Sequence, residues 1–122
     1  MRTIFVMASV AMLLSGCVTP SVYQWGNYDS GLYASYKDPT QVEQLRIKLE
    51  TLIAEQEKNK QKVAPGLYAE LGTLYLQAGA SDKAVAMYTR ERDAWPESKG
   101  LMDAMIKNVG RPKQARLEVK PQ

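Results

Sequence analysis

The chain has 122 residues, one cysteine, no histidine and a formal charge of +3. That length holds one small domain, and the lone thiol without histidine excludes Cys/His nucleophilic pairs and ordinary zinc sites. The charge excess is too slight for a nucleic-acid footprint, so no nucleic-acid partner is expected.

Met1-Arg2 is followed by an apolar run from Ile4 to Leu14 that closes on Leu14-Ser15-Gly16-Cys17. The run is too short to span a bilayer and has the basic start and small-residue end of a secretory signal, so residues 1–16 are expected to be removed. The tetrapeptide resembles the bacterial lipobox, which implies that Cys17 is acylated and becomes the mature N-terminus. Placement of the chain's single cysteine at this point supports the reading. Losing Arg2 lowers the net charge to +2. The resemblance implies three acyl chains on Cys17, and two already hold a protein stably on a membrane. Val18 follows the cysteine where an inner-membrane retention signal would have Asp, which implies the outer membrane, on its periplasmic face.

Residues 17–37 form the expected lipid anchor and aromatic tether. Tyr23, Trp25, Tyr28, Tyr33 and Tyr36 interleave with Gly, Ser, Asn and Asp, whereas a solvated linker is poor in rings. Two readings fit. Either Leu32, Tyr33 and Tyr36 form a short helix packed on the domain, or Tyr23, Trp25 and Tyr28 sit at the lipid interface or in a partner's groove.

A helical domain is expected over residues 38–110. Asp38-Pro39-Thr40-Gln41 starts a long helix, with Asp38 as cap and Pro39 in the first turn. Val42, Leu45, Leu49, Leu52 and Ile53 give its apolar stripe, with Glu43, Arg46, Lys48, Glu50 and Glu55 opposite. From Glu55 to Lys62 the chain is almost wholly polar, and this end is expected to project into solvent or fray. Tyr68, Leu71, Tyr75 and Leu76 then mark a helix ending at Gly79, and Ala84, Val85, Tyr88 and Trp95 mark another. Gly72 is costly mid-helix, and close approach of the two helix axes, with Ala84 opposite, accounts for it. The short Ala80-Ser81 link makes the pair antiparallel. Ser98 is expected to cap a last helix with Leu101, Met102, Met105, Ile106 and Val109 on its apolar side. Residues 111–122 are expected to form a basic flexible tail, either idle or in touch with anionic headgroups or cell-wall carboxylates.

The stretch from Pro65 to Ser98 resembles one tetratricopeptide repeat, with Tyr68, Leu71-Gly72, Tyr75, Ala84, Tyr88 and Pro96 on the repeat's offsets and Glu91 where Ala is usual. The resemblance implies an all-α fold of about four helices in antiparallel pairs. It also implies a concave partner-binding surface, which on this sequence carries Ala69, Thr73, Leu76 and Gln77. Chaperone-binding relatives place Lys and Asn at such positions to clamp a terminal carboxylate; Ala69 and Thr73 suit an extended segment or a partner helix instead. Tyr23 and Trp25 join these as candidate contacts. No metal site, cofactor or catalytic residue is expected: Glu91 and Asp93 diverge on their helix, and Glu50 and Glu57 lie on an exposed face.

The mature chain is similar to an uncharacterised family of short Gram-negative lipoproteins. It shares the lipobox, the Tyr-rich tether, Tyr36-Lys37-Asp38-Pro39, Pro65-Gly66-Leu67-Tyr68-Ala69-Glu70-Leu71-Gly72 and the helical cap. Members lie beside lipoproteins that look like the curli-secretion pore. The resemblance implies a lipid-anchored, non-enzymatic interaction or assembly factor whose partner is such a lipoprotein or another envelope component. Alternatives are a structural lipoprotein that binds the cell wall through its tail, and an activator of a cell-wall synthase. The small core also invites homo-oligomerisation.

Overall fold

Apolar side chains at three- and four-residue steps fold the chain into helices that bury their stripes on their sequence neighbours. The computed structural model describes residues 22–111. Its helices are α1 (Tyr28–Lys37), α2 (Val42–Lys58), α3 (Leu67–Gln77), α4 (Ser81–Ala94) and α5 (Lys99–Val109), with 3-10 turns at Pro39–Gln41 and Pro96–Ser98. Among the described residues there is no strand, so the all-α expectation holds. The helices number five rather than about four; α1 lies in the segment expected to be tether. Signal, Cys17 and all of the tail beyond Arg111 lie outside the described residues.

Partners run backward along each following helix, so neighbours are antiparallel. Gly66 meets Glu91, and Gly72 meets Tyr88 and Ala84. Glu57 and Glu50 on α2 bond the Tyr68 and Tyr75 hydroxyls on α3 at 2.7 and 2.6 Å. Two connected cores result. Leu45, Leu49 and Ile53 of α2 pack with Val63, Ala64, Leu67, Tyr68, Leu71 and Leu74, and Tyr28 and Leu32 of α1 lean on them. Ala84, Tyr88 and Met102 form the other core, under Ala69 and Leu76 of α3 and Met105, Ile106 and Val109 of α5.

Turn chemistry sets the ends of the helices. Asp38 caps the 3-10 turn ahead of α2, accepting from the Thr40 amide at 3.0 Å and its hydroxyl at 2.7 Å. Those bonds, the hydroxyl's first, hold its carboxyl below the usual range. At the end of α3, Gly79 takes φ 80°, its amide bonding to the Leu76 carbonyl and that of Ala80 to Tyr75. This is a Schellman motif, and glycine fits its left-handed position without a Cβ penalty. The same pair of bonds closes α2, from Lys60 to Glu57 and from Gln61 to Gln56, but here lysine holds the left-handed position at φ 55°.

One local expectation is narrowed and two are corrected. The polar end of α2 is exposed as expected, but it is tied down at two points: Gln56 is buried and donates to the Gln24 carbonyl, and Glu57 is held by Arg90 at 2.7 Å. Ser98 makes no side-chain cap; its hydroxyl turns to Glu91 at 3.4 Å. Leu101, expected on the apolar side of α5, is 65% exposed because Met102 takes the inward position.

Candidate partner-binding surface

Helix α3 runs through the middle of the array and its two sides do different work. Ala69 and Leu76 point to α4 and α5, half-buried in the second core. Thr73 lies with them; its hydroxyl donates to the Ala69 carbonyl at 3.1 Å and sits 3.2 Å from the Tyr88 hydroxyl. Of the four α3 candidates only Gln77 is exposed.

On the other side Glu70, Leu74 and Gln77, one above another at helical spacing, form a wall of an open groove. Leu32 and Tyr36 of α1 and Val42 of α2 complete it, enclosing 480 Å³. A second concavity of 260 Å³ adjoins it, sharing Val42, Leu74 and Gln77 and continuing past Thr40 to Arg46. Tyr36 is 83% exposed at the rim. Inside the groove, burial pushes the Glu70 carboxyl above the ordinary carboxylate range. Burial, and then the nearby Glu70 charge, push the Tyr28 hydroxyl upward in turn.

Arg46 anchors the outer wall. It pairs with Glu43 and Glu50 on its own helix and stands 5.6 Å from the centre of the Tyr75 ring, which also has the Lys83 ammonium at 5.2 Å. The Glu43 hydrogen bond raises the guanidinium's affinity for its proton most, and in return Arg46 lowers the Glu43 carboxyl. Burial and then the bond to Glu50 raise the Tyr75 hydroxyl. Across α2 and α3, burial and then Glu57 push the Tyr68 hydroxyl up to about 12.

Tyr23 and Trp25 are not part of the groove. Tyr23 meets the Trp95 ring edge-on at 5.6 Å between centroids, at the end of the array where α2 turns into α3, and Trp25 is exposed. Lys62 covers the same Trp95 ring at 3.6 Å. Two features of this end go beyond what the sequence led us to expect. Glu91 is 1% exposed, its Oε1 accepting from the Gly66 amide at 2.7 Å while its Oε2 has no bond among the described residues. Its position gave a signal, since Ala84, Tyr88, Glu91 and Trp95 lie on one helical stripe. The Tyr23–Trp95–Lys62 stack gave none, because it joins residues far apart in sequence.

Among the described residues no cluster of His, Cys, Asp and Glu could hold a metal ion. No described helix is long and apolar enough to cross a membrane. The fold and groove define a class: a small all-α protein of antiparallel helices with an open, partly apolar groove between α1, α2 and α3. The chain belongs to the family described as Domain of unknown function (DUF4810), whose model matches residues 22–105. That match runs from the residue before Tyr23 to Met105 in α5, and so takes in the groove and the aromatic end together. No curated protein and no solved structure matches the chain.

Proposed function

We propose that this protein is an outer-membrane lipoprotein, anchored through acylated Cys17 on the periplasmic face, that acts as an interaction or assembly factor for an envelope or secretion complex. Its partner is a protein, a lipoprotein resembling the curli-secretion pore or another envelope component, and the helical array acts as a tetratricopeptide-like unit. The observation that carries this reading is the groove walled by Leu32, Tyr36, Val42, Leu74 and Gln77, with Glu70 within it. An extended or helical segment with apolar anchors fits such a surface, and a basic residue on it would meet Glu70. The close contact of Gly72 with Tyr88 and Ala84 supports the repeat-like packing.

Crosslinking in living cells followed by affinity purification of the lipidated protein tests the proposal, with Cys17→Ala as the anchoring control. Gln77→Arg and Tyr36→Asp, both exposed, should abolish capture of the partner while leaving helicity intact. Undiminished capture by both variants refutes the groove as the binding surface. Unchanged levels and assembly of the captured partner after deletion of the gene refute the assembly role. Thr73→Arg is a poor probe, because the Thr73 hydroxyl is tied into the α3–α4 contact.

A further inference from the structure

The first described residues cross one end of the array and are fastened there. Gln24 accepts a hydrogen bond from buried Gln56, and Tyr23 stacks edge-on against Trp95. Val22, Tyr23 and Gln24 border a 340 Å³ hollow whose other wall is Gln56, Gln61 and Lys62. The chain therefore enters the domain beside the turn that joins α2 to α3.

That turn, Lys58-Asn59-Lys60-Gln61-Lys62, carries three lysines and no carboxylate. All five residues are exposed. Of the carboxylates nearest in the chain or packed on this end, Glu57 is held by Arg90 and the Tyr68 hydroxyl, Glu55 lies a turn back on α2, and exposed Glu97 follows Trp95 by two residues. Lys60 takes φ 55°, a conformation that favours glycine, so the turn carries a cation where the backbone's own preference is for none. Beside the turn Val22 is 86% exposed, and Trp25, next after the Gln24 that Gln56 holds, is 39% exposed. Cations mixed with an indole and an aliphatic side chain are the chemistry of a surface that lies on phospholipid headgroups.

Five peptide steps separate Cys17 from Val22, and they reach at most about 18 Å in any conformation. Resting on the lipid anchor proposed above, we infer that this end of the domain faces the membrane, with Lys58, Lys60 and Trp25 on the anionic headgroups. The groove residues Tyr36, Val42 and Gln77 lie toward the opposite end. With the 17 residues of α2 between the ends, they stand roughly 25 Å farther out, open to the periplasm.

The test uses the full lipidated chain, purified from bacterial membranes and reconstituted into vesicles of phosphatidylethanolamine and phosphatidylglycerol. With Cys17 acylated, Asn59→Cys and Ala78→Cys each supply one free thiol for a fluorescent label, at the turn and at the opposite end respectively. Headgroup spin-labelled lipid should quench the label at position 59 several-fold more than at position 78. Adding Lys58→Gln and Lys60→Asn, the latter tolerant of the left-handed backbone, should reduce quenching at 59 toward the level at 78. Equal quenching at both positions in a chain that mass spectrometry shows to be acylated overturns the orientation and leaves the anchor standing. Quenching at 59 unchanged by loss of the two lysines overturns the headgroup contact. A chain found unacylated overturns the anchor and the orientation with it.

Discussion

Replacing Gly72 with alanine separates helix propensity from helix packing, because the two act in opposite directions. In an unobstructed helix interior the change stabilises by about 1 kcal/mol. At Gly72 the new Cβ would stand 2.7 Å from Tyr88 Cε1, 2.9 Å from its Cδ1 and 3.2 Å from the Ala84 carbonyl oxygen. Carbon atoms pack at about 3.5–4.0 Å, so the overlap approaches an ångström. The ring has nowhere to go: Tyr88 is fully buried and its hydroxyl lies against Thr73. Relief requires the α3 and α4 axes to part. Overpacking costs about 1–3 kcal/mol, and the backbone oxygen puts this site at the upper end. After the propensity gain a net loss of about 2 kcal/mol remains, or roughly 8–16 °C in Tm for a domain of this size. Urea unfolding followed by far-UV circular dichroism reads the loss directly. Gly100→Ala is the control, since a Cβ there meets nothing within 4 Å, and it should be neutral or stabilising. In the double variant Gly72→Ala with Tyr88→Leu, the smaller partner should recover at least about 1 kcal/mol relative to the sum of the single changes. A Gly72→Ala protein as stable as its parent would refute the close-approach argument.

Glu91→Ala should destabilise by about 2 kcal/mol or more, because the Gly66 amide loses its acceptor and a cavity opens beneath α3; Glu91→Gln keeps that acceptor and should lose far less in the same urea titration. Glu70 has a folded pKa raised by burial, so its ionisation opposes folding: its contribution is complete below the unfolded value of about 4.5 and is lost as pH rises through the folded value. Glu70→Gln should therefore raise Tm at neutral pH and leave it unchanged at about pH 3, where the native carboxyl is protonated in both states; a shift that is the same at both pH values refutes this. Lys60→Gly should stabilise the domain by up to about 1 kcal/mol by relieving the left-handed lysine at φ 55°, as read by thermal unfolding.

What the sequence disclosed follows from the range over which each interaction acts. The α3–α4 pair was legible because its evidence is local: Tyr68, Leu71 and Tyr75 on α3 and Ala84 and Tyr88 on α4 repeat at helical steps, and the link around Gly79 is too short for any but an antiparallel return. Helix α1 was half legible. Its rings signalled contact with something, but Asp29, Ser30, Gly31 and Ser35 are weak helix formers, and the helix forms where Gly31 comes against Leu45. Leu32 packs inward as expected of a short helix on the domain, whereas Tyr33 and Tyr36, expected to pack with it, are exposed.

The groove itself was hidden for a related reason. Helical spacing states which residues share a face of α3 but not which neighbour takes that face. Ala69, Thr73 and Leu76 share one face, and α4 and α5 take it. Glu70, Leu74 and Gln77 share another, which α1 leaves partly open because Ser35 and Tyr36 do not close over it. A face's availability is thus set by where α1 and α5 settle, through contacts made by residues distant in the chain. Glu91 teaches the converse. A carboxylate between Tyr88 and Trp95 on a buried stripe has to find a donor as the helix packs, and the amide at the start of α3 is the donor it finds. A charged residue on an apolar stripe therefore carries information in the sequence itself: it predicts that a neighbouring helix end will bring an amide to it.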